Sequence, residues 1–528
     1  MKKVSLAMSA LVFISSAVFS QGPLDAYKYS QTDLGGTARY LGMGGAFGAL
    51  GGDISVMSAN PAGLAVYRSS EIVTTLSHRS VSTQTDWLSS FASGSRARVN
   101  FDNIAYVGYF PTSNDAGVLG WNVGFSYNRL KDYHRSYSLI GMGDKNYSLS
   151  DYAAERANAN GRHKDDLSHR SGYDPYAPQN NNDWLSVLAY DAVFIDAMNV
   201  GNRYISAFGE NVDGTMNPFP LAGRELKVNE SGAIDQYNIA FGLNISDIVL
   251  LGADVAITDI SYLYDSYFAE DFANKNYLEL ENWLRTTGSG YALNAGVILR
   301  PVNFLRLGVA YNSPTWYQMT DRYQATANSD TYYWEEPRTD ISTPEGYSEY
   351  EYRSPDKWLF SAAAIIGQTA LLSVDYELTR YGQMKMYDWE GIEDAGVNEE
   401  VKADFASAGT LRVGGEVKVT PRFAVRAGAA WIGNPMNDVL RNATAEVFTV
   451  GTIPHYTIEK SITNYTLGLG YRFSPNFYMD LACVLKEQKE DLYAFSKIYA
   501  GEKLIINSAP ASLKSHTTQV ALTLGYKF

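Results

Sequence analysis

The chain has 528 residues, with 43 Lys and Arg against 57 Asp and Glu and a formal charge of −14. That acidic balance excludes a nucleic-acid partner, whose phosphates demand clustered cations, and the single cysteine, Cys483, excludes a disulfide framework or a Cys-rich metal module. Forty-five glycines, 39 tyrosines and an aromatic share of 13%, at slightly negative mean hydropathy, suit strands that alternate lipid-facing and water-facing side chains between aromatic girdles.

Residues 1–20 read as an export signal. Lys2 and Lys3 form the positive start, Val4 to Phe19 the apolar core, and Val18 and Ser20 the small-residue positions before a cut at Gln21. Loss of the two lysines takes the formal charge to −16. Beyond this segment no apolar run reaches the roughly 18 residues of a spanning helix; the nearest, Trp358 to Leu372, is broken by Gly367, Gln368 and Thr369.

Residues 21–68 are rich in glycine and other small residues and carry no strand periodicity. Glycine and alanine permit close approach of the backbone to neighbouring elements. Asn60 precedes Pro61 and is therefore turned away from helical geometry.

From Glu71 onward the pattern is period 2. Tyr237, Ile239, Phe241, Leu243 and Ile245 oppose Asn238, Ala240, Gly242 and Asn244; Leu305, Leu307, Val309 and Tyr311 oppose Arg306, Gly308, Ala310 and Asn312. Similar runs lie at 411–419 and 465–473, and at the C-terminus Val520, Leu522, Leu524, Tyr526 and Phe528 share a face. The runs approach the roughly 9–11 residues that a tilted membrane strand requires. Fourteen strands are expected, beginning near Glu71, Phe101, Val118, Ala233, Ile248, Asn276, Phe304, Tyr352, Ala370, Ser407, Phe423, Ser461, Phe477 and Ser515. Short turns (111–117, 246–247, 301–303, 367–368, 420–422, 474–476) take turns with long polar connections. The latter cover 88–100, 142–230, 266–276, 324–350, 383–406, 434–458 and 492–512. That alternation fits an all-β, 14-stranded antiparallel transmembrane barrel with one rim in the periplasm. Within the longest connection, Trp184 to Asn199 reads as an amphipathic helix, either a lip at the mouth or the packed core of a surface loop.

The segments Gly42-Met43-Gly44-Gly45-Ala46, Asp53, and Asn60-Pro61-Ala62-Gly63-Leu64 resemble the plug of the FadL/TodX family. The resemblance continues in Arg306 to Tyr311 with Ser313-Pro314, in Tyr471 to Pro475, and in the terminal Phe528. It implies a 14-stranded outer-membrane barrel of a Gram-negative bacterium with an N-terminal hatch at 21–68, taking up fatty acids or aromatic hydrocarbons without an energy source. The hatch and gating positions would be Gly42, Gly44, Gly45, Asp53, Asn60, Pro61 and Ala62. The family's lateral exit, at an inward kink of the third strand, maps to Val118 to Ser138 with Gly120, Gly124 and Asn128 on the lumen side. The terminal aromatic resembles the signal by which barrels reach their assembly machinery. Outer-membrane lipids and a fatty-acid-like ligand are the other expected partners. A closed barrel needs no second copy to satisfy its edges, so a monomer is expected.

Other chemistry is poorly supported. Gly42-x-Gly44-x-x-Phe47 lacks the third glycine and the preceding strand of a dinucleotide site. The six histidines show no zinc-site spacing, and neither metal nor cofactor is expected. Asp254, Asp375, Glu377, Glu416 and Asp480 project inward with Arg306, Arg412, Arg426 and Arg472. Such facing charges more often hold a plug than perform acid–base work, so no enzyme is expected. Arg306, Arg412 or Arg426 could instead meet a ligand carboxylate, since a guanidinium grips that group with two hydrogen bonds. The alternative to transport is a barrel of the same fold acting as a surface or secretion-associated interaction platform, which the long acidic connection at 142–230 also suits.

Overall fold

The computed structural model describes residues 21–141, 147–198, 203–212, 215–331, 336–367, 369–501 and 503–528; the expected export signal lies outside these. Two short helices, α1 (Pro23–Ser30) and α2 (Ala38–Gly42), and two 3-10 turns (Ile54–Ser58, Pro61–Val66) precede the first strand. Among the described residues, and apart from shorter strands in the connections, fourteen barrel strands follow. They are β1 (Glu71–Trp87), β2 (Ser90–Pro111), β3 (Val118–Asp132, resuming as Arg135–Gly141), β4 (Leu221–Ile245), β5 (Val249–Phe272) and β6 (Tyr277–Val302). Next come β7 (Leu305–Asn312 and Trp316–Asp330), β8 (Gly346–Arg353 and Lys357–Ile366), β9 (Ala370–Arg380), β10 (Ser407–Lys418) and β11 (Phe423–Ile432). The last three are β12 (Tyr456–Arg472), β13 (Phe477–Tyr493) and β14 (Ala511–Lys527).

Each strand pairs antiparallel with the next. The ladder closes where β1 meets β14, from Glu71↔Lys527 to Asp86↔Ser512, so the sheet has no free lateral edge along these residues. Side chains alternate as the sequence pattern requires: Ile72, Leu76, Phe125, Phe241, Leu467 and Leu522 stand exposed on the outer face, while Asn103, Asn122, Asn238, Asp254 and Thr523 are buried inside. Two aromatic girdles bound the outer apolar band. At the short-turn rim Phe110 stacks on Trp121 (4.1 Å) and Tyr471 meets Phe473 (4.9 Å). Nearer the long loops Tyr291 stacks on Trp316 (5.5 Å) and Tyr311 packs on Trp358 (4.9 Å).

The strand starts at short turns agree with the sequence pattern to within a residue or so; at the long-loop rim those of β6 (Tyr277) and β10 (Ser407) also agree, while the others begin earlier than expected. Residues 90–100 are strand, not loop: β1 and β2 join through the two-residue turn Leu88-Ser89, both with positive φ (50° and 68°), and Trp87 pairs with Ser90. β4 begins at Leu221 instead of Ala233, and β5 and β6 run on to meet at residues 273–276. Above the apolar band these strands are wet on the outside, so the apolar alternation that marks a membrane strand is lost there. The helix expected at Trp184 to Asn199 ends at Asp191. The Phe194 amide turns back to the Ala189 carbonyl (2.7 Å), Val193 takes a positive φ (55°), and Ile195 pairs with Ser206. Leu185, Val187 and Leu188 are buried in the core that loops and upper strands share; Asn199 lies outside the described residues.

Candidate functional site

Residues 21–67 lie inside the barrel and are almost entirely buried. Their lower part is held by backbone contact. A Cβ on Gly252 of β5 would overlap the backbone of Pro61 and Ala62, and one on Gly428 of β11 would overlap Met43 and Gly44. Gly44 and Gly45 themselves take left-handed φ (63° and 77°), which glycine adopts without strain. Gly42 abuts Gly468 of β12 and its carbonyl accepts from the Thr466 hydroxyl (3.1 Å).

Polar side chains fix the turns between. Asn60 donates to the Gly48 carbonyl (2.7 Å) and accepts from the Ala62 amide (3.1 Å), closing the Asn-Pro-Ala turn. Asp53 accepts from the Thr37 hydroxyl (2.8 Å) and the Ser55 amide (3.0 Å). From the wall, Asp375 of β9 accepts from the Phe47 and Gly48 amides (3.0 and 2.8 Å). Glu416 of β10 takes Arg39 (3.0 Å) and Arg426 (2.6 Å), and Arg426 also reaches Asp480 (2.6 Å).

The upper part, from Gln21 to Gly35, meets β3 where that strand leaves its neighbour. The β2–β3 ladder runs from Pro111↔Gly120 only as far as Asn103↔Asn128. The β3–β4 register shifts between Arg129 and Lys131, and Tyr133 and His134 separate the two halves of β3. Beyond that break, Arg135–Gly141 stays with β4 and leans over the lumen: the Thr83 hydroxyl of β1 donates to the Ser136 carbonyl (2.7 Å). In place of β2, the hatch takes the freed groups. The Asp33 amide donates to the Leu130 carbonyl (2.7 Å) and the Asp132 amide to the Asp33 carboxylate (3.4 Å). A Cβ on Gly35 would come within 2.6 Å of the Arg129 carbonyl oxygen.

Asp33 is the centre of a charge cluster at this break. Lys486 of β13 (2.8 Å), Arg79 of β1 (3.1 Å) and Lys131 of β3 (3.6 Å) all face its carboxylate, and every member is at least nearly nine-tenths buried. Burial alone would raise the Asp33 pKa, but Lys131, Lys486 and Arg79 outweigh it and hold the carboxyl well below its ordinary range. Asp132 caps the bend, accepting from Asn100 (2.7 Å) and from His134 at both backbone (3.0 Å) and ring (2.9 Å).

Two cavities flank the cluster. One, of about 130 Å³, lies between α1, the break in β3 and the loop ahead of β12; it has an apolar side (Leu24, Val81, Leu284, Ile453) and a charged side where Lys131 and Lys486 stand with Glu230, Glu459 and Glu490. The other, of about 200 Å³, runs below Gln31–Gly35 past Asn128 and Arg412. His455 faces the first. It is buried, stacked against Tyr264 (6.0 Å) and Phe268 (6.5 Å), and among the described residues neither ring nitrogen has a hydrogen-bond partner. Burial pushes its pKa down to about 3.

The residues singled out in the sequence fall at different points. Gly124 faces Met57 and Leu64 of the hatch, and Gly120 sits beside a register shift near the short-turn rim. Asn128 marks the last β2–β3 pair and accepts from Asn103 (2.6 Å). Of the arginines, Arg306 donates to the Leu50 carbonyl, Arg412 lines the larger cavity while paired with Glu377 (3.1 Å), and Arg426 is held between two carboxylates. Arg472 is exposed at the short-turn rim, not in the lumen. Asp33, Arg79, Lys131 and Lys486 were not anticipated. Arg79 and Lys486 occupy inward positions of their strands and were readable as such. Lys131 was not, because the bulge at Leu130 reverses the in–out parity of β3.

No family model matches the sequence, and no curated protein matches it. Solved structures do. A Pseudomonas aeruginosa FadL homologue aligns over 94% of this chain and 99% of its own at 13% identity, with a TM-score of 0.51. The P. putida toluene transporter TodX aligns over 94% and 99% at 12% identity and 0.49. The Ralstonia pickettii toluene transporter TbuX does so over 94% and 99% at 11% identity and 0.47. The first of these establishes a shared fold.

Proposed function

We propose that the protein belongs with the FadL-type barrels and admits hydrophobic compounds across an outer membrane, binding them in the lumen and releasing them sideways. The observation that carries this reading is the early end of the β2–β3 ladder at Asn103↔Asn128, with a cavity on its inner side. A barrel wall must satisfy its backbone groups; here the hatch does so at Leu130 through Asp33, so a shift of Gln31–Gly35 would free the seam. A ligand entering between the loops would meet the apolar side of the smaller cavity, with Lys131, Lys486, Glu459 and Glu490 at its polar end. Fatty acids and single-ring hydrocarbons are the compounds to try first. The lower hatch, fixed by Gly42, Gly44, Gly45, Asp53, Asn60, Pro61 and Ala62, would keep the axial path shut and leave the side exit as the route.

Uptake of a labelled fatty acid and of a monoaromatic hydrocarbon, compared in cells with and without the protein, tests this. Faster uptake of at least one is expected. Equal uptake of both would favour the interaction platform, for which the loop-filled mouth is the supporting feature.

A further inference from the structure

The outer surface above the upper girdle is electrically lopsided. On β4–β6 the outward positions carry Glu225, Asp235, Asp265, Glu279 and Glu281. On β12–β14 they carry Lys460, Lys489 and Lys514 against Glu487 and Asp491. Lys489 of β13 stands directly across from Lys514 of β14, and Lys460 lies beside them at the β12 bulge, next to Ser461, which pairs with Lys489. Like charges directly opposite on a sheet destabilise it, and the nearby acids only partly compensate. Glu487 pairs with Lys489 at 2.9 Å and Asp491 with Lys460 at 2.7 Å, while the lysines stay about half exposed. A surface groove rises from Lys460 and is lined by Arg441 and Lys497.

The height of this patch matters as much as its sign. Tyr465 of β12 pairs with Leu485 of β13, and Leu485 with Thr518 of β14; these mark the upper edge of the apolar band. Lys489 and Lys514 stand four residues above, roughly 13 Å along the strands, where the headgroups of the outer leaflet would lie. Directly below, on the same strands, the lipid-facing wall is indented: over the backbone of Gly468 and Ala482, whose side positions face the hatch, an apolar groove of about 270 Å³ opens between Leu467, Leu469, Leu481, Cys483 and Val520. A cationic patch above and an apolar groove beneath lie on the same three strands.

We propose that this face of β12–β14 binds a phosphorylated glycolipid of the surrounding leaflet. A phosphate would sit between Lys489 and Lys514, with Lys460 beside it, and an acyl chain would lie in the groove over Gly468 and Ala482. Cationic clusters at a membrane surface attract anionic headgroups, and a phosphate between the two lysines removes their mutual repulsion. The proposal rests on the reading of the chain as an outer-membrane barrel but not on what it transports.

The test is native mass spectrometry of the full-length protein in detergent, titrated with diphosphoryl lipid A, with its dephosphorylated form, and with inorganic phosphate as competitor. One retained diphosphoryl lipid is expected, and weak retention of the dephosphorylated form. The double variant Lys489→Gln/Lys514→Gln should weaken retention about 30-fold, at roughly fivefold per lysine. Lys227→Gln, on the acidic side, should not change it. If the double variant does not fold, Lys514→Gln alone should show the fivefold loss. Equal retention by the variants, or full displacement of the lipid by millimolar phosphate, would overturn the proposal. Ligand uptake is scored separately, so an intact uptake with no lipid retention removes this site alone.

Discussion

The two halves of the hatch are held in opposite ways. Below Thr37, backbone presses on backbone at Gly252 and Gly428, and the polar groups are neutral amides, carboxylates that accept from amides and a hydroxyl, or paired charges. Above it, Gln31–Gly35 is held by three cations on one carboxylate, beside cavities and a seam where the wall lacks its own ladder. Close packing resists small displacements because contacts at that range cannot stretch. Ion pairs can be exchanged for water or for another anion. The contrast assigns rigidity to the lower hatch and movement to the upper.

The largest effect is expected from Asp33→Asn. It leaves Arg79, Lys131 and Lys486 facing one another without their shared anion, and breaking a buried pair from one side costs about 3–5 kcal/mol. Residues 23–35 should lose hydrogen-exchange protection while conductance in a planar bilayer stays low, since the lower hatch still blocks the lumen. A rise in conductance would mean that the two halves move as one. Gly428→Ala should do the reverse: overpacking of about 1–3 kcal/mol against Met43 and Gly44 should raise conductance and leave residues 23–35 protected.

A smaller, pH-dependent effect is expected at the mouth. His455 sits neutral in the closed loop with its pKa near 3, whereas in an opened loop it titrates near 6.5. The opened state therefore binds the extra proton between these values, so closure is at full strength above about pH 6.5 and weakens as the pH falls toward 3. Hydrogen exchange of residues 447–456 should be faster at pH 5 than its intrinsic change predicts, and His455→Phe should remove the excess. Equal protection at pH 7 and pH 5 in the unmodified protein would contradict this.

How far the sequence reached follows from where each signal comes from. Short-turn boundaries were legible because the apolar alternation runs right up to them, as at Phe477 and Ala370. The opposite ends of β2 and β4 were not, because at Ser90–Asn100 and Leu221–Gly232 the strands stand in water on their outer side and lose that alternation. That residues 21–67 form no barrel strand was legible from their glycines and the Asn60-Pro61-Ala62 turn, whose residue types serve close approach. The charge cluster was not: Asp33 sits in a segment without periodicity, and Lys131 reads as outward until the Leu130 bulge is known. Arg306, Arg412 and Arg426 were correctly placed toward the interior, but facing a lumen does not reveal which carboxylate already occupies a guanidinium.

The central claim is that ligand leaves between β2 and β3. Asn100 and Asp132 face each other across that seam, 2.7 Å apart at their side-chain tips. In a Cys483→Ala background, Asn100→Cys/Asp132→Cys can be bridged with a short cleavable bis-thiol reagent and assayed for uptake before bridging, after it, and after cleavage. Uptake should fall to the level of cells without the protein when bridged and return on cleavage. Undiminished uptake with the bridge in place would contradict the account.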